Sequence, residues 1–267
     1  MSLDDAAPSW WSANPHRARF ERLVLLYTPV WMALMALVML SGAYRSWGEL
    51  AYMAFGLAAG APLLLLPIVL DAPLAERSAL RHTCLRLNLW LALFVFVGSY
   101  VCTHYFFGVV GMRYGFPTQW TLEAELVGRG PGRVPLFLYP LTHAYFASYH
   151  VGATVVHRYL SARLGLGALA RLVLLGLLAY GVAFGETFFM AIPALDDVFE
   201  YADRGRMLRI GSVFYGSFFI ISLPAFAQVE AEAGAPWPYS RVALSSLGTG
   251  MAVVLILDLW AKLFGTL

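Results

Sequence analysis

Long apolar stretches alternate along the chain with short polar connections. Seven stretches stand out, at about 23–41, 50–70, 87–108, 136–156, 167–193, 210–227 and 242–264. A helix needs about 20 mostly apolar residues to cross the hydrocarbon core of a bilayer, and each stretch reaches roughly that length. The pattern predicts an all-α, polytopic transmembrane helix bundle of about seven spans. Pro29, Pro62, Pro67, Pro140, Pro193 and Pro224 fall in or near span ends. Membrane helices tolerate such prolines where neighbours satisfy the freed backbone groups. Residues 1–22 read as an interfacial N-terminal arm, with Trp10 and Trp11 beside Arg17, Arg19 and Arg22, a pairing suited to the membrane–water boundary. Residues 23–267 are expected to form one transmembrane domain. The first twenty residues carry Pro8, Pro15 and several charges, so the first span is expected to persist as an uncleaved helix.

Composition supports this class. The 267 residues are 60% hydrophobic and 13% charged, with a mean hydropathy of +0.68, whereas soluble domains carry about 25% charged residues. A net charge of +2 gives no reason to expect nucleic acid. Lys262 is the only lysine, and arginine with abundant Ala, Leu and Gly points to a GC-rich, bacterial genome. The expected location is the bacterial cytoplasmic membrane, or the endoplasmic reticulum in a eukaryote. Cys84 and Cys102 fit no metal or redox spacing. With the N-terminus inside, ten basic residues lie inside and eight outside, which favours that orientation.

Ionisable groups at membrane depth are costly and are functional candidates by default. Here they are His104, His143, His150, Glu186 and Asp258. In a seven-span bundle the third, fifth and seventh spans run parallel and the fourth returns. His104 late in the third, His143 early in the fourth, Glu186 late in the fifth and Asp258 late in the seventh would then share one leaflet. The 109–135 and 194–209 loops would close over that end. His143, His150 and His157 recur every seven residues as one stripe, and Tyr100, His104, Phe107 and Gly108 share a face. Each candidate also has a plain structural reading. A histidine can bond across helices, Asp258 can pair with Lys262 four residues on, and Asn88 can bridge two helices. Glu186 has no basic residue within a turn, so it is expected as a neutral acid. The charged run from Asp196 to Arg209 alternates in sign and reads as a solvated loop.

Several segments carry a resemblance. They are Tyr27-Thr28-Pro29-Val30-Trp31, Leu87-Asn88-Leu89-Trp90, and Gly98-Ser99-Tyr100-Val101-Cys102-Thr103-His104-Tyr105-Phe106-Phe107. Leu141-Thr142-His143, Tyr149-His150-Val151, Glu186-Thr187, Phe214-Tyr215 and Ile256-Leu257-Asp258-Leu259-Trp260 follow in order. The chain resembles the cycloeucalenol cycloisomerase, or cyclopropyl sterol isomerase, family from about Arg19 onward. Leu136 stands where the family has histidine, and Ser99 and Cys102 where it has Asn and Trp.

The resemblance implies a cofactor-independent isomerase. An acid protonates the cyclopropane of a sterol taken from the bilayer, and a neighbouring proton leaves to give a Δ8-sterol. It implies His104 and Glu186 on the acid side, together or singly, and His143 as base or as anchor of the 3-hydroxyl. Tyr100, Tyr105, Phe106, Tyr149, His150 and Asp258 are expected to contact substrate. If the family's histidine at position 136 were the acid, another residue would have to replace it. Two alternatives remain from the residues alone. A haem or quinone protein would use the span histidines as ligands, and a lipid carrier would release its sterol unchanged.

Overall fold

A computed structural model of the chain describes residues 9–69, 74–125, 132–232 and 235–267. The start of the arm and most of the run 129–133 that precedes Val134 therefore lie outside the described residues. The chain is an all-α bundle of α1 (Pro15–Ser41), α2 (Glu49–Val69), α3 (Leu74–Val97), α4 (Thr103–Val109), α5 (Leu138–Arg163), α6 (Ala168–Met190), α7 (Arg204–Gln228) and α8 (Tyr239–Phe264). A π-turn over Gly98–Cys102 joins α3 to α4, so the two form a single crossing from Ser78 to Val109. Among the described residues, six helical stretches are long and apolar enough to cross a membrane: those built on α1, α2, α3–α4, α6, α7 and α8. The chain is a multi-pass membrane protein.

The helix that falls short of that apolarity is α5, the one carrying His143 and His150. It packs against α1, α2, α3, α6 and α7, and thirteen of its residues are buried. Neighbouring helices shield its polar groups from lipid. A close approach makes this possible on the α2 side. Cβ atoms added at Gly56 and Gly60 would collide with the backbone carbonyls of Phe137 and Pro140, so this pair of glycines four apart lets α2 and α5 meet backbone to backbone.

Helices α1, α3 and α7 start well before their apolar stretches. Asn14 caps α1, its side chain accepting from the amides of His16 (3.0 Å) and Arg17 (3.3 Å), with Pro15 at the first helical position. Asp203 caps α7 by accepting from Arg206 N at 2.8 Å. Hydropathy marks the apolar part of a helix, whereas caps mark where it begins.

Residues 15–22, expected as part of the interfacial arm, are the first two turns of α1. Trp10 stacks on Tyr159 with ring centres 3.7 Å apart. Glu21, 1% exposed, accepts from Arg17 (3.1 Å) and doubly from Arg158 (2.6 and 3.0 Å). Arg17 also donates to the carbonyls of Ala227 (2.8 Å) and Val229 at the end of α7. Next to this cluster, Glu230 takes Arg86 and the Trp237 amide. The group locks α1, α5 and α7 together at one end of the bundle.

The opposite end is closed by the two long loops. β1 (Met112–Tyr114) and β2 (Phe199–Tyr201) pair antiparallel, with Met112 opposite Tyr201 and Tyr114 opposite Phe199. Gly111 has φ +66, and a Cβ there would press on Leu267 and Ala202. Only glycine suits that corner.

Candidate active site

Beneath the ribbon lies a partly open cavity of about 80 Å³. Its walls come from every part of that end: Val95 of α3, Gly98 and Ser99 of the π-turn, Thr103 and Phe106 of α4, Met112 and Tyr114 of β1, Thr142 and Phe146 of α5, Glu186 and Met190 of α6, Tyr215 and Phe218 of α7. The extra residue of a π-turn widens the helix where the cavity needs room. Such turns recur at functional sites. Thr103 Oγ1 repays the disrupted ladder by donating to the Gly98 carbonyl at 3.1 Å.

Glu186 is the carboxyl of this cavity. Tyr215 donates to its Oε2 at 3.0 Å, and the Tyr149 phenol stands close enough to interact with the same carboxyl. Around them stand aromatic rings. Phe106 meets Tyr215 edge-on at 5.3 Å and Phe218 at 6.0 Å, and Tyr215 meets Phe218 at 5.5 Å. Tyr114 stands close to Thr103. Burial raises the pKa of the Tyr114 phenol first, and the nearby Glu186 carboxyl raises it further. One carboxyl, several protonated phenols and a belt of ring faces make a place that can hand over a proton and then face a cation.

The other expected site residues are distributed differently. His104 does not reach Glu186: its Nε2 accepts from the Ala124 amide at 3.1 Å, so it fastens the 121–125 segment. His143 points at Asn88, whose Oδ1 lies 2.9 Å from Nε2. Asn88 Nδ2 donates to the Leu63 (3.2 Å) and Cys84 (2.9 Å) carbonyls, which leaves its oxygen to accept from histidine. His150 is fully buried between the Phe146 carbonyl and Ser222 Oγ, each at 2.8 Å. Tyr100 stacks on Phe96. Tyr105 reaches Asp258 at 3.4 Å, and Asp258 pairs with Lys262 at 2.8 Å. Phe106 and Glu186 line the cavity, and Tyr149 reaches it through Glu186. Nε2 of His104 and His143 and both ring nitrogens of His150 are held by protein groups.

This geometry can be set beside known proteins. A cycloeucalenol cycloisomerase of Arabidopsis thaliana is 34% identical over 274 residues, covering 99% of this chain and 92% of that protein. The chain belongs to the cycloeucalenol cycloisomerase family. No family model matches it, and no solved structure does. Leu136, where the family resemblance places a histidine, is outside the cavity wall, and its amide donates to the Trp120 carbonyl at 2.8 Å.

The cavity wall includes residues that the sequence alone does not single out as site residues: Tyr215, Tyr114, Thr142 and Ser99. Tyr215 carried a signal, since a phenol inside a span needs a polar partner. The rim of the site also holds an exposed clasp. Asp197 accepts from Tyr44 OH at 2.6 Å and Arg45 Nε at 2.8 Å. Burial works to raise the Asp197 pKa, but the bonds from Tyr44 and Arg45 outweigh it and hold the carboxyl below its usual value. A depressed folded pKa stabilises above the unfolded value, about 3.9, and that contribution is lost as pH falls through the folded value. Asp197→Asn should therefore lower the Tm by a constant amount above about pH 5, and the gap to wild type should close below about pH 4. Melting curves across that range check it; a gap that persists in acid would show that the clasp does not depend on charge.

Proposed function

We propose that the protein opens the cyclopropane ring of a cyclopropyl sterol, as the name of its relative suggests, and that Glu186 supplies the proton. The observation that carries this reading is the Glu186 carboxyl, held by Tyr215 with the Tyr149 phenol nearby, inside an aromatic cavity. Charge is expensive at this depth, so the neutral acid is the resting form. The electron pair of the strained carbon–carbon bond takes the acid's proton, the bridging CH2 becomes a methyl group, and a cation forms on the ring carbon. The faces of Phe106, Phe146 and Phe218 stabilise that charge. The adjacent C–H pair then becomes the alkene, and its proton leaves to the carboxylate that the first step produced. Reactant and product are isomers, so nothing is oxidised or reduced.

His104 and His143 contribute by holding the scaffold. His104 ties down the 121–125 segment and His143 ties α5 to α3, which positions Thr142 and Phe146. The cavity is smaller than the roughly 300–1,000 Å³ of pockets that enclose a drug-sized ligand. It takes the reacting rings, and the rest of the sterol extends through the open side. Membranes containing the protein, incubated with cycloeucalenol, should yield a Δ8-sterol of unchanged mass but different retention time. Recovery of unchanged cycloeucalenol from folded protein would favour a carrier.

A further inference from the structure

The cap over the cavity contains a polar group that neither the fold nor the proposed proton transfer uses. Met112 and Tyr114 of β1 both line the cavity. Residues directly opposite in an antiparallel pair lie on the same face of the ribbon. The partners of those two are Tyr201 and Phe199, so Tyr201 stands on the cavity face of β2. Its hydroxyl is buried and has no hydrogen-bond partner among the described residues. It interacts electrostatically with both Tyr114 and Glu186. Burial, and then the Glu186 carboxyl, raise its pKa, so the phenol keeps its proton and can donate.

A buried hydroxyl without a partner costs free energy, and a bound ligand that supplies the missing partner recovers it. We propose that Tyr201 anchors the 3-hydroxyl of the sterol, an inference that rests on the ring-opening reading above. The chemistry places the two groups correctly. The carbon bearing the 3-hydroxyl shares a ring with one corner of the cyclopropane. An acid aimed at the cyclopropane and a phenol aimed at the hydroxyl must therefore act within one cavity; Glu186 lines it, and Tyr201 stands on the cavity face of the ribbon that caps it. The β ribbon then sets the register of the sterol, with its hydroxyl end under the cap and its side chain toward the open side.

The test is equilibrium binding of radiolabelled cycloeucalenol and of its 3-deoxy analogue to the purified full-length protein and to Tyr201→Phe. The variant should bind cycloeucalenol about 3- to 10-fold more weakly, the worth of one hydrogen bond. It should bind the 3-deoxy analogue as wild type does. Its Tm should equal or exceed that of wild type, because the phenol makes no bond in the folded protein. Equal weakening toward both ligands, no weakening toward either, or a clear loss of Tm would overturn the anchor. Turnover measured alongside separates the two claims. Conversion of cycloeucalenol by wild type without this discrimination removes the anchor and leaves the ring-opening reading intact. Failure of wild type to convert it removes the reading and the anchor together.

Discussion

Glu186→Gln is expected to lower turnover of the cyclopropyl sterol by about 10³-fold or more, at the upper range of what a positioned general acid contributes. Glutamine keeps the size of the side chain and an oxygen that can still accept from Tyr215 at the position now 3.0 Å away. It cannot surrender a proton to carbon. No other carboxyl lines the cavity among the described residues, so no described neighbour can readily take over. The variant should remain folded, with a Tm near wild type, because no ion pair is broken. It should also still bind sterol, so the loss should appear in kcat rather than KM. Residual activity within tenfold of wild type would move the acid to another group, and the Tyr215 and Tyr149 phenols would be examined next.

The second large effect lies at the far end of the bundle. Glu21 sits between Arg17 and Arg158 with its side chain 2% exposed, while Arg17 is 1% and Arg158 29% exposed. Glu21→Gln leaves two cations facing each other without their counter-charge. Breaking a buried pair by removing one partner costs about 3–5 kcal/mol. Thermal unfolding in detergent should show a correspondingly large fall in Tm, whereas turnover well below the transition should stay within about twofold, since the cavity draws on the N-terminal part of α5 and the middle of α7, apart from the Glu21 cluster. A loss under about 1 kcal/mol would mean that the α7 carbonyls alone satisfy Arg17, as weakly coupled pairs do.

Particular elements show what could be read in advance. Among the described residues, six of the long helices follow directly from apolar stretches, because lipid admits only backbone that satisfies itself, whereas α5 is more polar and is shielded by its neighbours. Their ends do not follow from hydropathy. Asn14 and Asp203 extend α1 and α7 through polar turns that look like loops. Arg17 and Glu21 are spaced as a helical pair, yet their burial depends on the α7 carbonyls and Arg158, which lie far away in sequence. The three-residue strands show no alternation long enough to notice, although the loops that carry them were expected to close the same end.

Within the site, Glu186 was legible because a lone carboxyl in an apolar span has few bland explanations. The tyrosines that hold it were not, since Tyr215 resembles the many aromatic residues that only pack. Histidines were the least informative. Which way His104 and His143 face is decided by the Ala124 amide and by Asn88, neither of which lies within a helical turn of its histidine in sequence.

The most direct test of the account is the source of the new methyl hydrogen. Wild-type protein equilibrated in heavy water and held in excess over cycloeucalenol, so that each molecule turns over once, should give a Δ8-sterol with deuterium in the methyl group formed from the cyclopropane carbon. That result requires an exchangeable protein acid acting on the ring, as assigned to Glu186. A Δ8-sterol without deuterium there would mean that hydrogen moved within the substrate itself, and unchanged cycloeucalenol would mean that the cavity binds the sterol without reacting with it. Either would contradict the account.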